Sequence, residues 1–134
     1  MIEINNKTKS KINLALVGRT AEQFLKLNKI KNRDVSIAFI GDASMSKLNK
    51  AYRGKNKPTD ILAFPGDNDF FGEIIIGYAQ IKRQAKVYKN SVRQELIFIL
   101  IHGLLHLLGY DDKTENGRRE MEMLSKKFIE KYIA

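Results

Sequence analysis

The sequence predicts an α+β fold in a single domain, residues 1–134. Strand-like segments lie early and centrally, whereas the longest helical patterns lie late in the chain. The length suits one hydrophobic core, and the sequence has no internal repeat and no linker rich in Pro, Ser or Gly. Both prolines, Pro58 and Pro65, fall in one central loop region, so nothing divides the chain in two.

Each element is predicted from the spacing of its apolar residues. Strands are expected where apolar residues alternate or form short runs bounded by Gly or Pro, at residues 2–4, 35–40, 60–64 and 73–77. Helices are expected where apolar residues recur at helical spacing, at residues 12–27, from Ser44 to Gly54, at 79–89 and at 115–132. One further helix, which Ser91 can N-cap, is apolar almost all round from 96 to 108 and must be buried on most faces.

The chain is strongly basic, with 24 Lys and Arg against 15 Asp and Glu and a formal net charge of +9. This bias favours polyanionic partners through electrostatic steering and counterion release. The lysines could equally be a solvated surface, but basic residues cluster in two windows. The windows contain Lys47, Lys50, Arg53, Lys55 and Lys57, and Lys82, Arg83, Lys86, Lys89 and Arg93. Clustering favours phosphate binding.

Composition excludes several functions. The chain has no cysteine, which rules out disulfides and thiolate metal sites and leaves imidazole and carboxylate as ligands. The N-terminal sequence lacks the charged-then-apolar layout of a secretion signal, and no apolar run reaches the roughly 18 residues of a membrane span. We therefore expect no membrane partner and a cytoplasmic location.

The only two histidines, His102 and His106, are four residues apart within the apolar helix. Such residues lie on one helix face with Cβ atoms roughly 5–6 Å apart, so two imidazoles can bind one ion. A single histidine on an apolar helix is usually a core side chain with one hydrogen bond. Burying two side by side is costly unless a shared cation satisfies one nitrogen of each, so the pair favours a metal site.

A third ligand is expected just beyond this helix. Gly109 can end the helix and turn the chain, which brings Asp111 and Asp112 back toward the histidines. Either aspartate could bind the ion or cap the last helix, and the sequence does not separate them. The string H-x-x-x-H-x-x-G-x-x-D resembles the metzincin zinc signature, except that Gly103 stands where the catalytic glutamate would be.

Together these residues resemble the YbeY family of bacterial rRNA maturation factors, which are metal-dependent single-strand endoribonucleases. The similarity runs through residues 48–53, 57–65, 72–76, 83–85, 95–96 and 102–112. The family signature H-G-x-L-H-L-x-G-Y-D-H is matched except at the last position, where Asp112 replaces a histidine. Ala63 and Glu73, in place of the usual serine and aspartate, are smaller departures.

The resemblance implies a fold and a site. The fold is a small mixed sheet of about four strands with helices packed on it, a zincin-like metallohydrolase arrangement with the metal at the end of the buried helix. His102 and His106 are implied as ligands of one divalent ion, with zinc expected. Asp112 is the expected third ligand, since carboxylate oxygen is a normal zinc ligand. Arg53 is implied as the functional arginine.

The implied activity is hydrolysis of single-stranded RNA, in maturation of the small-subunit rRNA 3′ end and in ribosome quality control. Arg53 would bind the scissile phosphate. The flanking phosphates would be bound by five basic residues: Lys55, Lys57, Lys82, Arg83 and Lys86. Tyr52 or Tyr110 could stack on a base, although such aromatic residues more often pack. RNA is the expected partner, with the small ribosomal subunit or its proteins as a further candidate and no DNA specificity.

Two other functions compete with this one. A non-catalytic RNA- or ribosome-binding protein would keep the basic surface and use a structural metal to hold the last helix in place. A structural site fills its coordination shell whereas a catalytic site leaves a position open, so a fourth ligand from Asp111 would favour the binding protein. A metallopeptidase ranks third, because Gly103 replaces its general base.

Overall fold

The computed structural model describes residues 1–133, and the predicted order of elements is confirmed. The strands are β1 (Ile2–Asn6), β2 (Asp34–Ile40), β3 (Ile61–Pro65) and β4 (Phe70–Gly77). The helices are α1 (Leu14–Leu27), α2 (Asp42–Arg53), α3 (Tyr78–Val87), α4 (Val92–Leu107) and α5 (Glu115–Tyr132). None of these helices is both long and apolar enough to cross a bilayer.

Helix α2 is longer than its sequence pattern predicted. It begins at Asp42 rather than at Ser44, because Gly41 serves as an extended N-cap with φ −80° and ψ 172°. Asp42 places a carboxylate in the first turn, where it complements the helix dipole. The helix ends before Gly54, as predicted.

The sheet is mixed, with strand order β1-β2-β4-β3. Strands β1, β2 and β4 are parallel neighbours, whereas β3 runs antiparallel to β4 and forms an edge. Pro65 ends β3 at this edge, where proline is tolerated in a sheet. The expected α+β fold with a four-stranded mixed sheet is therefore confirmed.

The two faces of the sheet are covered unequally. One face carries Ile37, Ile61 and Ile74, which belong to the main core with buried residues of α1, α4 and α5. The other face carries Leu62, which belongs to a smaller cluster with Met45 of α2. Helix α2 therefore covers only part of the second face. Its C-terminal residues, 51–53, are exposed to solvent.

Helix α4 lies at the centre of the core and ends at the candidate site. Ser91 and Gln94 form a reciprocal cap, in which Gln94 N–H donates to Ser91 Oγ at 3.0 Å and Ser91 N–H donates to Gln94 Oε1 at 2.8 Å. The helix contacts α1, α3, α5, β3 and β4, as its all-round apolar surface predicted. Packing on so many sides fixes the direction of the side chains in its last turns.

Candidate metal centre

His102 and His106 project from the last two turns of α4. Their ring centroids are 4.9 Å apart, and the rings are inclined at 74°. The side chains are 17% and 26% exposed, so both imidazoles lie at the boundary between core and solvent. The helical spacing of the two residues therefore brings them together as the sequence predicted.

Asp112 completes a group of three possible ligands. Gly109 adopts φ +107°, which favours glycine, and the turn carries the chain back toward the end of α4. Asp112 Oδ2 lies 3.4 Å from His102 Nε2, and Asp112 Oδ1 lies 3.9 Å from His106 Nε2. One ligand atom from each of the three residues lies within 4.8 Å of the others.

Asp111 has a different role in the same turn. Its Oδ1 accepts a hydrogen bond from Lys113 N–H at 3.1 Å, which stabilises the turn before α5. The N-cap of α5 is Thr114, whose Oγ1 accepts a hydrogen bond from Gly117 N–H at 3.0 Å. Neither aspartate therefore caps the last helix, and of the two only Asp112 faces the histidines.

The donor set and its spacing suit zinc or a similar divalent ion. Tetrahedral zinc with bonds of ~2.0–2.1 Å places two ligand atoms about 3.3 Å apart. The distance of 3.4 Å between Asp112 Oδ2 and His102 Nε2 is close to that value. Burial lowers the pKa of His106, and the charges of His102 and Arg53 lower it further, whereas Asp112 and the backbone of Tyr110 oppose this shift. A lowered pKa favours neutral imidazole, the form that binds a metal ion.

Gly103 faces the sheet rather than the metal centre. A Cβ atom at this position would collide with Cδ1 of Ile61 and would lie 3.5 Å from Cδ1 of Ile74. A glutamate here would place its carboxylate in the hydrophobic core, where a charge is costly. The peptidase alternative therefore lacks both the catalytic residue and the space for it.

Arg53 is the last residue of α2 and lies near the metal centre. Its side chain is exposed, and its charge is close enough to His106 to lower the pKa of that imidazole. The ion pairs within residues 1–133 do not include Arg53. Its guanidinium can therefore bind an anion without first breaking an ion pair.

Lys55 and Lys57 follow Arg53 in an exposed loop. Asn49, which is not among the predicted functional residues, holds this loop: its Nδ2 donates to the backbone carbonyl of Lys57 at 2.9 Å, and the residue is buried. A signal was present, because Asn49 follows the buried Met45 by one helical turn and a polar residue on a buried face needs a partner. The loop is thus held against α2 while its lysine side chains stay in solvent.

The basic residues of α3 do not join the metal centre. Arg83 Nη1 and Nη2 each donate to a carboxylate oxygen of Asp42 at 3.0 Å. Asp42 begins α2 and Arg53 ends it, so roughly 16 Å of helix separates this ion pair from Arg53. Lys82 and Lys86 are exposed on the same helix as Arg83. The structure therefore divides the expected phosphate-binding residues into a near group and a distant group.

The number of possible ligands indicates the class of protein. Three donors leave a coordination position for water, as catalytic zinc sites do, whereas structural sites usually supply four. The fold and the site together define a small α+β metallohydrolase. The family described as Endoribonuclease YbeY matches residues 3–133, and the chain belongs to that family.

Individual relatives support the same assignment. The chain is 44% identical over 116 residues to the endoribonuclease YbeY of Thermodesulfovibrio yellowstonii, which covers 78% of this chain and 73% of the relative. It is 30% identical over 141 residues to the protein of that name from a Sulfurovum species, which covers 98% and 90%. The solution structure of a Thermotoga maritima protein aligns with a TM-score of 0.69 at 30% identity, over 97% of this chain and 87% of that one. The expected family is confirmed, and with it the endoribonuclease class of hydrolase.

Proposed function

We propose that the chain cleaves phosphodiester bonds in single-stranded RNA with a divalent ion held by His102, His106 and Asp112. One observation carries the proposal: the three donor atoms lie within 4.8 Å of one another at the end of α4. The charge of Arg53 also contributes to lowering the pKa of His106, which fits a guanidinium on the same side of the molecule. Membership of the endoribonuclease YbeY family supports RNA as the substrate. Zinc is the ion we propose, because two imidazoles and one carboxylate are typical of catalytic zinc sites.

The metal ligands, Arg53 and the two following lysines have different roles in the proposed reaction. A zinc ion held by His102, His106 and Asp112 would supply Lewis acidity, which can bring the pKa of a bound water to about 7. Arg53 presents a planar fork of N–H donors to the non-bridging oxygens of the scissile phosphate, where charge accumulates. Lys55 and Lys57 bind neighbouring phosphates.

The basic residues of α3 have a lesser part in this proposal. Lys82 and Lys86 would bind phosphates farther along the RNA. They lie on α3, which is joined to the start of α2 by the Arg83–Asp42 ion pair, and roughly 16 Å of helix separates that start from Arg53. Arg83 would have to leave its ion pair with Asp42 to bind RNA. Its contribution to affinity should therefore be the smallest of the three.

The second candidate function is a non-catalytic RNA-binding protein with a structural metal. This function requires a fourth ligand, and Asp111 is the residue predicted from the sequence to supply it. The Asp111 carboxylate instead accepts a hydrogen bond from Lys113 N–H. That arrangement favours the enzyme, in which one coordination position stays open to water.

Ribosomal RNA is the substrate we propose, in particular the 3′ end of the small-subunit rRNA, in RNA maturation and ribosome quality control. The resemblance to rRNA maturation factors supports this substrate, and the net charge of +9 suits a large polyanion. The small ribosomal subunit or its proteins would then be the partners, and the cytoplasm would be the location.

Cleavage of RNA by the purified, zinc-loaded protein tests the proposed function. A single-stranded oligonucleotide is expected to be cut, whereas the same sequence in a duplex is expected to stay intact. Removing the metal with a chelator should abolish cleavage, and adding zinc should restore it. Gel analysis of end-labelled RNA measures both effects. Binding without cleavage at every metal content would support the non-catalytic alternative instead.

Asp112→Ala should weaken zinc binding far more than Asp111→Ala, because only Asp112 faces the histidines. The expected loss is about a hundredfold or more, since even an outer-shell partner is worth ~10–100-fold in affinity. Asp112→His should retain zinc, because it restores the three-histidine set of the family signature. Competition with a chromophoric chelator measures each affinity. The opposite ranking of the two alanine variants would transfer the ligand role to Asp111.

A further inference from the structure

We propose that Tyr52 and Phe64 form a nucleobase-binding site beside the metal centre, on which one base of a single-stranded RNA stacks. The inference rests on the proposed function, because the RNA substrate supplies the base. It assigns a role to two aromatic residues that the reaction itself does not use.

Tyr52 continues the apolar side of α2 to the exposed C-terminal end of the helix. Met45 and Leu48 precede it by seven and four residues, so the three side chains share one face of the helix. Met45 is fully buried against the sheet, whereas Tyr52 is 65% exposed. A large aromatic side chain therefore faces solvent at the end of a face that is otherwise used for packing.

Phe64 supports the tyrosine from the sheet. It lies on β3 two residues after Leu62, on the same face, and packs against the cluster that contains Met45. The rings of Tyr52 and Phe64 meet edge to face, with centroids 4.9 Å apart at 61°. Such a contact fixes the orientation of the Tyr52 ring while leaving much of its surface accessible.

The same end of β3 lies close to the last turn of α4. A Cβ atom on Gly72, which pairs with Pro65, would lie 2.6 Å from Leu107 Cδ2 and 2.7 Å from the carbonyl oxygen of Phe64. Leu107 follows His106 at the end of α4. The backbone of Phe64 therefore lies close to the side chain of Leu107, one residue after His106, while the Phe64 ring faces the opposite side of the sheet from α4.

Charge and chemistry favour a nucleobase as the occupant. Tyr52 directly precedes Arg53, the residue proposed to bind the scissile phosphate, and Lys50 and Lys55 are exposed within three residues of it. The side chains of Tyr52 and Arg53 leave the exposed C-terminal end of α2 about 100° apart, so an RNA strand held by a phosphate at Arg53 would have a base within reach of the aromatic surface. Stacking on an aromatic ring requires an unpaired base, so the site would also favour single strands over duplexes.

Binding of two matched probes tests the site. One probe is a fluorescein-labelled single-stranded RNA decamer, and the other has the same phosphate backbone with all bases absent. Tyr52→Ala should weaken binding of the RNA by roughly five- to 150-fold and leave binding of the abasic probe unchanged. The salt dependence of binding should also stay the same, because no charge is removed. Fluorescence anisotropy with metal-free, full-length protein measures all these affinities.

Substitutions of matched kind separate stacking from packing. Tyr52→Phe keeps an aromatic ring and should bind RNA like the wild type, whereas Tyr52→Leu keeps an apolar side chain and should bind like Tyr52→Ala. Tyr88→Ala removes an equally exposed tyrosine, at 64%, at the C-terminal end of α3 and should change nothing. Equal losses for both probes, or full RNA affinity in Tyr52→Leu, would overturn the base site. Because binding is measured without metal, a wild type that fails to cleave RNA would reject only the proposed function.

Discussion

The double variant His102→Ala/His106→Ala is expected to bind no zinc and to lose RNA cleavage by about a thousandfold, the equivalent of the several kcal/mol that a catalytic metal contributes. Both nitrogens that face Asp112 are removed, so a single carboxylate remains where three donors stood. Elemental analysis should show about one zinc per wild-type chain and none per variant chain.

The design separates loss of the metal from loss of the fold. The imidazoles are partly exposed and lie at the edge of the core, so their truncation should leave the metal-free protein folded. Circular dichroism of metal-free wild type and variant checks this point. Zinc added to the metal-free wild type should restore cleavage, whereas zinc added to the variant should not. Full zinc occupancy in the double variant would place the ion elsewhere in the protein.

Local features of the sequence were sufficient to predict most of the geometry of this candidate site. The positions of His102 and His106 follow from helical periodicity alone, and Gly109 marks the turn because few other residues adopt its backbone conformation. The choice between Asp111 and Asp112 was not predictable, because their directions depend on the torsion angles of a short loop. The hydrogen bond from Lys113 N–H to Asp111 settles which carboxylate stabilises the turn.

Long-range relationships were the part that the sequence could not supply. Arg83 looked like one of several phosphate-binding residues, and its ion pair with Asp42 depends on how α3 lies beside α2. In the sequence, Gly103 marks the absence of a catalytic glutamate. In the structure, a Cβ atom at this position would collide with Ile61, so close packing of α4 on β3 requires glycine here. Contacts of this kind join segments far apart in the chain, so residue spacing carries no record of them.

The α2 helix illustrates how one pattern can serve both packing and function. Its apolar face was expected to pack, and Met45 and Leu48 do so. The same periodicity continues to Tyr52, which contacts Phe64 of the sheet but is 65% exposed. The sequence indicates which face of α2 packs on the sheet, but not at which residue the sheet stops burying that face. That residue depends on where β3, the edge strand, ends.

Arg53→Lys is expected to lower the single-turnover rate of RNA cleavage by about a hundredfold, within the range found when one donor to a developing oxyanion is lost. Lysine keeps the positive charge but is a point charge, which cannot make the paired contacts that a guanidinium makes with two phosphate oxygens. Because the charge is kept, the influence of residue 53 on the pKa of His106 should also be largely kept. The loss would therefore report the geometry of phosphate binding rather than a change in the histidine.

RNA affinity provides the comparison that decides the role of Arg53. One phosphate contact among several contributes little to the total electrostatic attraction, so Arg53→Lys should bind RNA within a fewfold of the wild type. Lys55→Ala is the matched control from the exposed loop that follows Arg53, and it should weaken binding modestly while leaving the rate of the bound complex nearly unchanged. Single-turnover kinetics at saturating protein measure the rates, and anisotropy measures the affinities. Equal losses of rate in the two variants would reduce Arg53 to one surface base among many and would favour the non-catalytic binding protein.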